Sequence, residues 1–385
     1  MAWTVTRDLL LLLALGPLVY FVFAMIIGRS FFAAAERPAA DCLPSLSILR
    51  PIHGLDREMY QNYASFCSQE YPDFEMLFCV SDETDPAIPA IRKVIEDFPE
   101  RSIRLLIGSE PLGVSDKVNK LCRMAKEARH ELLIVADSDV RLEPGFLRSI
   151  AAPFADPTLG GTTCLYRGIT DGSLAADLEA LGNSTDFAPG VLAARRLAGI
   201  DFMLGALMAT TKTRLAEIGG FESLVEFFSD DYELGNRIAK HGHRIELSRS
   251  AVSIVYPRET VGQAFRHQTR WHLSIRHSRP GAHFGLIFTQ GLAWTILAAA
   301  ISPFLWMKLA YVAAYLVLRT ALAWTVGVSG MHDELVRRKI WMLPLRDLLA
   351  FSAWMTSFFG QRIDWRGEQF YVRDRRLVRA SPRQC

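Results

Sequence analysis

The run Leu132-Leu133-Ile134-Val135-Ala136-Asp137-Ser138-Asp139 decides how this chain is read. Five apolar residues that stop abruptly at two carboxylates describe a buried central strand delivering acids to its carboxyl edge. In open α/β sheets that edge is where ligands bind, because loops line the crevice while the strands hold it rigid. An Asp-x-Asp at such a place suits a divalent cation, Mg²⁺ or Mn²⁺, that takes hard oxygen ligands and shares a diphosphate. A second reading is open for the tripeptide alone: a turn in which Asp137 or Asp139 caps the next helix.

Working outward, residues 45–258 alternate short β-type runs with amphipathic helical stretches, the pattern of a layered α/β domain. Strands are expected over residues 46–49, 76–80 and 103–107, the second ending in Ser81-Asp82-Glu83. Asp56 is placed as the N-cap of a helix carrying Tyr60, Tyr63, Ala64 and Cys67 on one face. Successive strands joined by crossover helices imply a parallel sheet. Beyond the Asp137 motif, a helix starts at Pro144, and further strands are expected over residues 160–165 and 202–210. Ile218-Gly219-Gly220-Phe221 reads as a tight turn, and a helix runs from Asp230 through Ile238. Residues 174–197 have two open readings: a segment at a membrane surface, or a core helix pair broken at Pro189-Gly190. Cys79 and Cys122 read as core residues, and His241 and His243 as a polar turn before a strand.

Lys and Arg total 43 against 41 Asp and Glu, so the charge of a nucleic-acid binder is missing. Half of the 385 residues are hydrophobic and the mean hydropathy is +0.15, which points to membrane segments. Six cysteines without metal spacing suggest neither a zinc site nor a disulfide framework. Residues 9–28 are apolar enough to anchor the chain; a cleavable signal is the competing reading, with small residues at Ala33 to Ala35. Arg29 and Arg37 after this span place the following domain in the cytoplasm. Residues 284–304 and 306–328 are expected to form a membrane hairpin around Pro303. Arg319 within it requires a partner, a headgroup or water. Residues 348–360 read as interfacial or re-entrant, and the arginine-rich tail (Arg362, Arg366, Arg373, Arg375, Arg376, Arg379, Arg383) as a cytoplasmic basic end. The expected organisation is an anchor and linker over 1–40, an α/β domain over 41–280, a membrane block over 281–361 and the tail over 362–385.

Four features occur in order: Asp82, Asp137-x-Asp139, Asp230-Asp231 and His267-Gln268-Thr269-Arg270-Trp271. Together with Lys117-x-Asn119 and the flanking spans, they resemble the D, DxD, (E/D)D, (Q/R)xxRW pattern of the ceramide glucosyltransferase family. These are GT-A fold, family 21 and family 2-like glycosyltransferases, and the bacterial hopanoid-biosynthesis branch looks nearest, on Thr163-Cys164-Leu165-Tyr166-Arg167-Gly168 and Ser184-Thr185-Asp186-Phe187. The resemblance implies a mostly parallel, Rossmann-like GT-A domain with an amino-terminal transmembrane helix and a carboxyl-terminal helical membrane block. It implies an inverting transfer from a UDP-sugar, UDP-GlcNAc or UDP-glucose, to a hydroxyl of a hopanoid polyol or ceramide at the cytosolic leaflet, in a bacterial inner membrane. Asp82 would accept the uracil imide, Lys117 and Asn119 would serve donor binding, and Asp137 and Asp139 would hold ribose and the divalent cation. Asp231 is the expected general base, with Asp230 sharing the proton or capping the helix. His267, Arg270 and Trp271 would meet the diphosphate and acceptor, although His267 stands where Gln or Arg is usual. Other acceptors, such as a polyisoprenoid or diacylglycerol, stay open, as does a non-catalytic scaffold. An ATP-dependent phosphotransferase is disfavoured because no GxxxxGK[ST] loop is present.

Overall fold

The computed structural model describes residues 2–34, 43–360, 362–365, 368–373 and 375–379. Ala35, Arg37, Cys42, Arg366, Arg383 and Cys385 lie outside the described residues. Contacts divide the chain into two units that do not follow linear order. One, mainly sheet, contains residues 36–166, 200–257 and 362–385; the other, helical, contains residues 1–35, 167–199 and 258–361. Residues 167–199 and 258–280, expected within the α/β domain, thus group with the membrane helices, and the tail groups with the sheet.

The sheet strands are β1 (Leu46–Pro51), β2 (Phe74–Val80), β3 (Ser102–Ile107), β4 (Leu132–Ala136), β5 (Val140–Arg141), β6 (Leu159–Ile169), β7 (Leu207–Thr211) and β8 (Arg244–Val255). Their order is β3-β2-β1-β4-β7-β6-β8-β5. β1 runs parallel to β2 and to β4, with Leu46 opposite both Phe74 and Leu132, and β3 runs parallel to β2. The carboxyl ends of β2 and β4, and with them Asp82 and Asp137, therefore leave the sheet along one edge. All of β1, β2 and β4 is buried, as uniformly apolar parallel strands require. Beyond β4 the sheet turns antiparallel: β7 pairs with β4, Ala136 facing Leu207, and β6 pairs with β7. Leu49, Leu77, Val118, Leu121, Leu133 and Met208 lie in the core of this unit.

Two local expectations are corrected. The strand expected from residue 202 begins only at Leu207, because Thr163 Oγ1 accepts the Leu204 N–H at 2.9 Å and competes with ladder pairing. Asp56 does not cap a helix: the helix is Met59–Cys67, entered through Glu58 in a left-handed conformation (φ 53°), and Asp56 lies three residues upstream of it. A small antiparallel sheet, β9 (Arg362–Trp365), β10 (Glu368–Arg373) and β11 (Arg376–Arg379), completes the unit.

In the helical unit, Trp3–Ala33 and Leu305–Gly330 are long and apolar enough to cross a membrane, and Pro280–Thr289 with Gly291–Ile301 forms a pair bent by 53°. Residues 174–198 form two helices, Leu174–Gly182 and Ala188–Ala198, joined by a π-helical turn, Asn183–Phe187. Pro189 has no N–H to offer the carbonyl four residues back, and that carbonyl, of Thr185, accepts from Arg319 Nη1 at 2.8 Å instead. Arg319, 2% exposed, is gripped through Nε and Nη2 by the Asp347 carboxylate (2.7–3.1 Å) and also meets Asp186. Tyr315 donates to Asp347 at 2.8 Å. The partner that an intramembrane arginine demands is thus supplied by the protein itself. Arg346 and Asp347 sit in the helix Leu343–Thr356, which includes most of the segment read as interfacial or re-entrant.

Candidate active site

Asp82 is exposed just beyond β2, where its carboxylate accepts the Thr84 N–H at 2.8 Å and the Thr84 hydroxyl. Those bonds to Thr84 hold its pKa below the ordinary aspartate value. It is not a helix cap: the next helix is Ile88–Asp97, and the Ala87 amide is taken by Asp85.

Asp137 follows β4 directly, and its N–H donates to the Ala206 carbonyl at 3.1 Å at the start of β7. Asp139 lies two residues on, its carbonyl accepting the Val255 N–H at 3.0 Å. Burial, the Asp137 charge and the Asp56 charge together push the Asp139 carboxyl up to about 7. Beneath the motif, the fully buried Arg50 donates to the Ser138 carbonyl at 3.0 Å, its guanidinium over the rings of Tyr63 and Phe66 (5.0 and 4.1 Å). Arg50 was not singled out by sequence, and Asp56 was read only as a helix cap; for Arg50, a lone arginine closing the apolar run Leu46-Ser47-Ile48-Leu49 was the available signal.

Lys117 stands in the first turn of the helix Asp116–Glu127, which Ser115 caps by accepting the Val118 N–H. Its ammonium is 2.9 Å from Asp137 and 3.4 Å from Asp230. Burial opposes the charge, but Asp137 and Asp230 outweigh it and hold the Lys117 pKa above the ordinary lysine value. Asn119, two residues on, directs both ends of its amide at Gly113, with bonds of 3.1 and 3.0 Å, and so fixes the loop before this helix.

Asp230 and Asp231 open the helix Asp230–Lys240, where the helix dipole favours negative charge. Asp231 accepts the Tyr232 N–H at 2.8 Å. Its pKa rises to about 6, from burial first and the Asp230 charge second, with Lys117 and the Tyr232 N–H opposing. Gly205 makes room for this carboxylate: a Cβ there would lie 3.1 Å from Asp231 Oδ2. The buried Tyr166 feels both Asp231 and Asp137, and burial with those charges raises its phenol well above the ordinary value. Asp137, Asp139, Lys117, Asp230 and Asp231 therefore converge, and Asp82 leaves the same sheet edge.

In the helical unit, His267, Arg270 and Trp271 share the helix Val261–Ser278, which starts with a reciprocal capping box between Thr260 and Gln263. His267 Nδ1 meets Oε1 of Glu179, and its ring packs edge-on against Trp271 at 4.9 Å. Trp271 also lies 6.5 Å from Phe187. Burial, reinforced by Arg270, lowers the His267 pKa to about 4, so the imidazole is neutral. Glu179 and Glu259 share a hydrogen bond, and burial with that bond pushes Glu259 up to about 8. His267 thus stands against a carboxyl pair, the buried Glu179 and the half-buried Glu259, that holds a proton at neutral pH. Neither glutamate was visible as part of the motif in sequence.

No group of three or more His, Cys, Asp or Glu among the described residues is arranged to hold a metal by itself. The acids around Asp139 nevertheless fit a hard divalent cation, because the charges of Asp137 and Asp56 bear on the Asp139 carboxyl and raise its pKa, while all three side chains stay partly exposed. A two-carboxylate site leaves coordination positions for water and phosphate oxygens, as Mg²⁺ sites usually do.

The fold that this geometry belongs to is the GT-A fold of glycosyltransferases. A mannosyltransferase from Pyrobaculum calidifontis, PcManGT, solved with GDP-Man and Mn²⁺, superposes with a TM-score of 0.54 at 15% identity, covering 92% of this chain and 99% of the other. The chain belongs to glycosyl transferase family 21, whose model matches residues 9–378. It is 28% identical over 230 residues to ceramide glucosyltransferase 1 of Caenorhabditis elegans, across 60% of this chain and 49% of that protein. It is 30% identical over 154 residues to the ceramide glucosyltransferase of Komagataella phaffii, across 37% and 30%. The chain spans about half or less of the length of these curated relatives.

Proposed function

We propose that this chain is an inverting glycosyltransferase that moves a sugar from a UDP-sugar to a hydroxyl of a membrane lipid at the cytosolic leaflet. The observation that carries the reading is the cluster of Lys117, Asp137, Asp230 and Asp231 beside the Asp139 motif at the carboxyl edge of the parallel strands. The family, the ceramide glucosyltransferase relatives and two or three apolar spans support a lipid acceptor. A hopanoid polyol or ceramide is the acceptor class, and UDP-GlcNAc or UDP-glucose the donor. The host membrane in this reading is a bacterial inner membrane.

Asp231 takes the proton of the acceptor hydroxyl as that oxygen bonds to the anomeric carbon, while the carbon–oxygen bond to the diphosphate breaks on the opposite face. A carboxylate with a pKa of about 6 is ionised at neutral pH yet basic enough for this task. Lys117 holds Asp230 and Asp137 together and keeps positive charge next to the departing diphosphate. Asp82 accepts the uracil imide N–H, and Asn119 shapes the donor site through the Gly113 loop. Arg270 contributes phosphate contacts and Trp271 an apolar wall for the acceptor. Asp139 and Asp137 would hold a Mg²⁺ or Mn²⁺ ion, which when bound supplies Lewis-acid neutralisation of the diphosphate. The Mn²⁺ in the structurally similar mannosyltransferase supports that assignment.

The test is transfer by the purified protein in lipid nanodiscs, with labelled UDP-glucose or UDP-GlcNAc and ceramide or a hopanoid polyol, read by mass spectrometry and anomeric NMR. A β-linked glycolipid that vanishes in Asp231→Asn is expected. An α-linked product, or no lipid product with any of these pairs, overturns the reading.

A further inference from the structure

Segment 225–229, which leads into Asp230 and Asp231, is held along two sides. On one side the Val225 carbonyl accepts the N–H of Ser115, the cap of the helix that carries Lys117, at 3.0 Å. On the other side lies the carboxyl-terminal strand: Phe228 N–H donates to the Arg375 carbonyl at 3.0 Å, and Leu377 N–H donates to the Glu226 carbonyl at 2.8 Å. Phe227 and Arg376 form an antiparallel bridge between these bonds. Leu377 and Val372 are buried at 2% and 4% exposure, which roots the small sheet in its own unit. Part of the tail read from sequence as a cytoplasmic basic end is therefore a strand laid on the loop that leads into Asp230 and Asp231.

Side chains repeat the connection. Arg375 Nη1 lies 2.9 Å from Oε1 of Glu233, a buried residue in the first turn of the helix that Asp230 begins. Glu233 Oε2 also takes Arg237, 3.2 Å away, and Arg237 reaches back to the Ser223 hydroxyl at 2.9 Å. Phe227 lies under two guanidiniums, Arg237 at 4.7 Å and Arg376 at 5.5 Å. Arg375 itself adopts φ +66°, a region an arginine occupies only when its surroundings determine it. Its carbonyl bond to Phe228 and its side-chain bond to Glu233 are those surroundings.

We infer that the carboxyl-terminal strand is a strap that positions the Asp230-Asp231 pair, with Arg375 as its positioning residue, acting through Glu233 and the backbone of residues 226–228. The inference rests on the proposed function for its catalytic consequence, but its structural half does not. Removing the strap frees one side of the loop while the helix Asp230–Lys240 keeps its other contacts. The expected result is misplacement of Asp231 without loss of the fold, and a displacement approaching 1 Å in such a group costs roughly up to a hundredfold in rate.

The experiment compares full-length wild type with Arg375→Ala, Arg375→Lys and Leu377→Pro, the last removing the N–H that reaches Glu226. Amide hydrogen exchange is read over residues 226–233 and, as an internal reference, over β1 and β4. Lipid glycosylation is read as kcat, donor KM and the pH profile. The expected outcome is several-fold faster exchange confined to residues 226–233 in Arg375→Ala and Leu377→Pro. In the same variants kcat falls at least tenfold, donor KM stays within twofold, the acid limb of the profile moves, and Arg375→Lys recovers part of the loss. Unchanged exchange in Arg375→Ala overturns the strap, whatever the activity. Exchange that responds in a protein whose wild type glycosylates no lipid leaves the strap standing and removes the proposed function instead. Should Leu377→Pro fail to fold, the arginine pair decides alone.

Discussion

Gly205→Ala is the sharpest probe of the proposed base. The added methyl would lie 3.1 Å from Asp231 Oδ2, closer than nine in ten real contacts of a Cβ, and at an ordinary 3.5 Å from its Cγ. The carboxylate must therefore retreat by a few tenths of an ångström. It cannot turn freely, because its other oxygen holds the Tyr232 N–H at 2.8 Å and the residue begins a helix. If a misplacement of about 1 Å costs roughly a hundredfold, a third to a half of that costs about five- to tenfold in kcat. Stability should move little or rise, since glycine to alanine at a permitted backbone angle gains about 0.4–1 kcal/mol by restricting the unfolded chain. Gly190→Ala is the control: it lies in the helix Ala188–Ala198 with open space around the new methyl, and should stabilise without touching kcat. The assay is initial-rate lipid glycosylation at saturating donor, beside a thermal melt. A Gly205→Ala enzyme within twofold of wild type in kcat would show that the Asp231 carboxylate is not where the rate is set.

Three further outcomes are expected. With Asp231 as base, kcat/KM falls about tenfold per pH unit below pH 6, because protonation of a group whose pKa is raised to about 6 removes the reactive form; burial sets this value first, then the Asp230 charge, with Lys117 and the Tyr232 N–H opposing and Asp137 adding to the rise. Asp231→Asn abolishes that limb and costs about 10²–10⁴ in rate, and a profile flat from pH 5 to 8 in the wild type would refute the assignment. Arg319→Met leaves Asp347 and Asp186 without their shared cation and destabilises by about 3–5 kcal/mol, whereas adding Asp347→Leu recovers part of this; equal melting temperatures for the single variant and wild type would contradict a buried pair. Chelation with EDTA abolishes transfer and Mn²⁺ or Mg²⁺ restores it, with Asp139→Ala needing far more metal; full activity in chelator would remove the cation from the scheme.

Much of the sheet was legible because buried parallel strands announce themselves as apolar runs. The run Leu132–Ala136 is a strand with those ends, and Asp82 and Asp137 leave the sheet at one edge, as crossover connections require. Asp56 was misread because an aspartate a few residues before an amphipathic stretch looks the same whether it caps the helix or turns inward toward Asp139. Local patterning carries no record of which way such a side chain faces. The strand over residues 202–206 was likewise expected on hydrophobicity, while the hydroxyl of Thr163, forty residues earlier, decides that the backbone there bonds elsewhere.

By itself, the sequence determined the strand that ends in Asp137, the order of the acidic motifs and the apolar spans, since each is written in neighbouring residues through a period of hydrophobicity or an abrupt change of polarity. Only tertiary structure decided the rest. It brought Lys117 between Asp137 and Asp230, set Gly205 against Asp231, gave Arg319 its aspartates and turned an arginine-rich tail into a strand against residues 226–228. Those pairings join residues tens to hundreds of positions apart, and charge or backbone complementarity at such separation leaves no local periodicity to read.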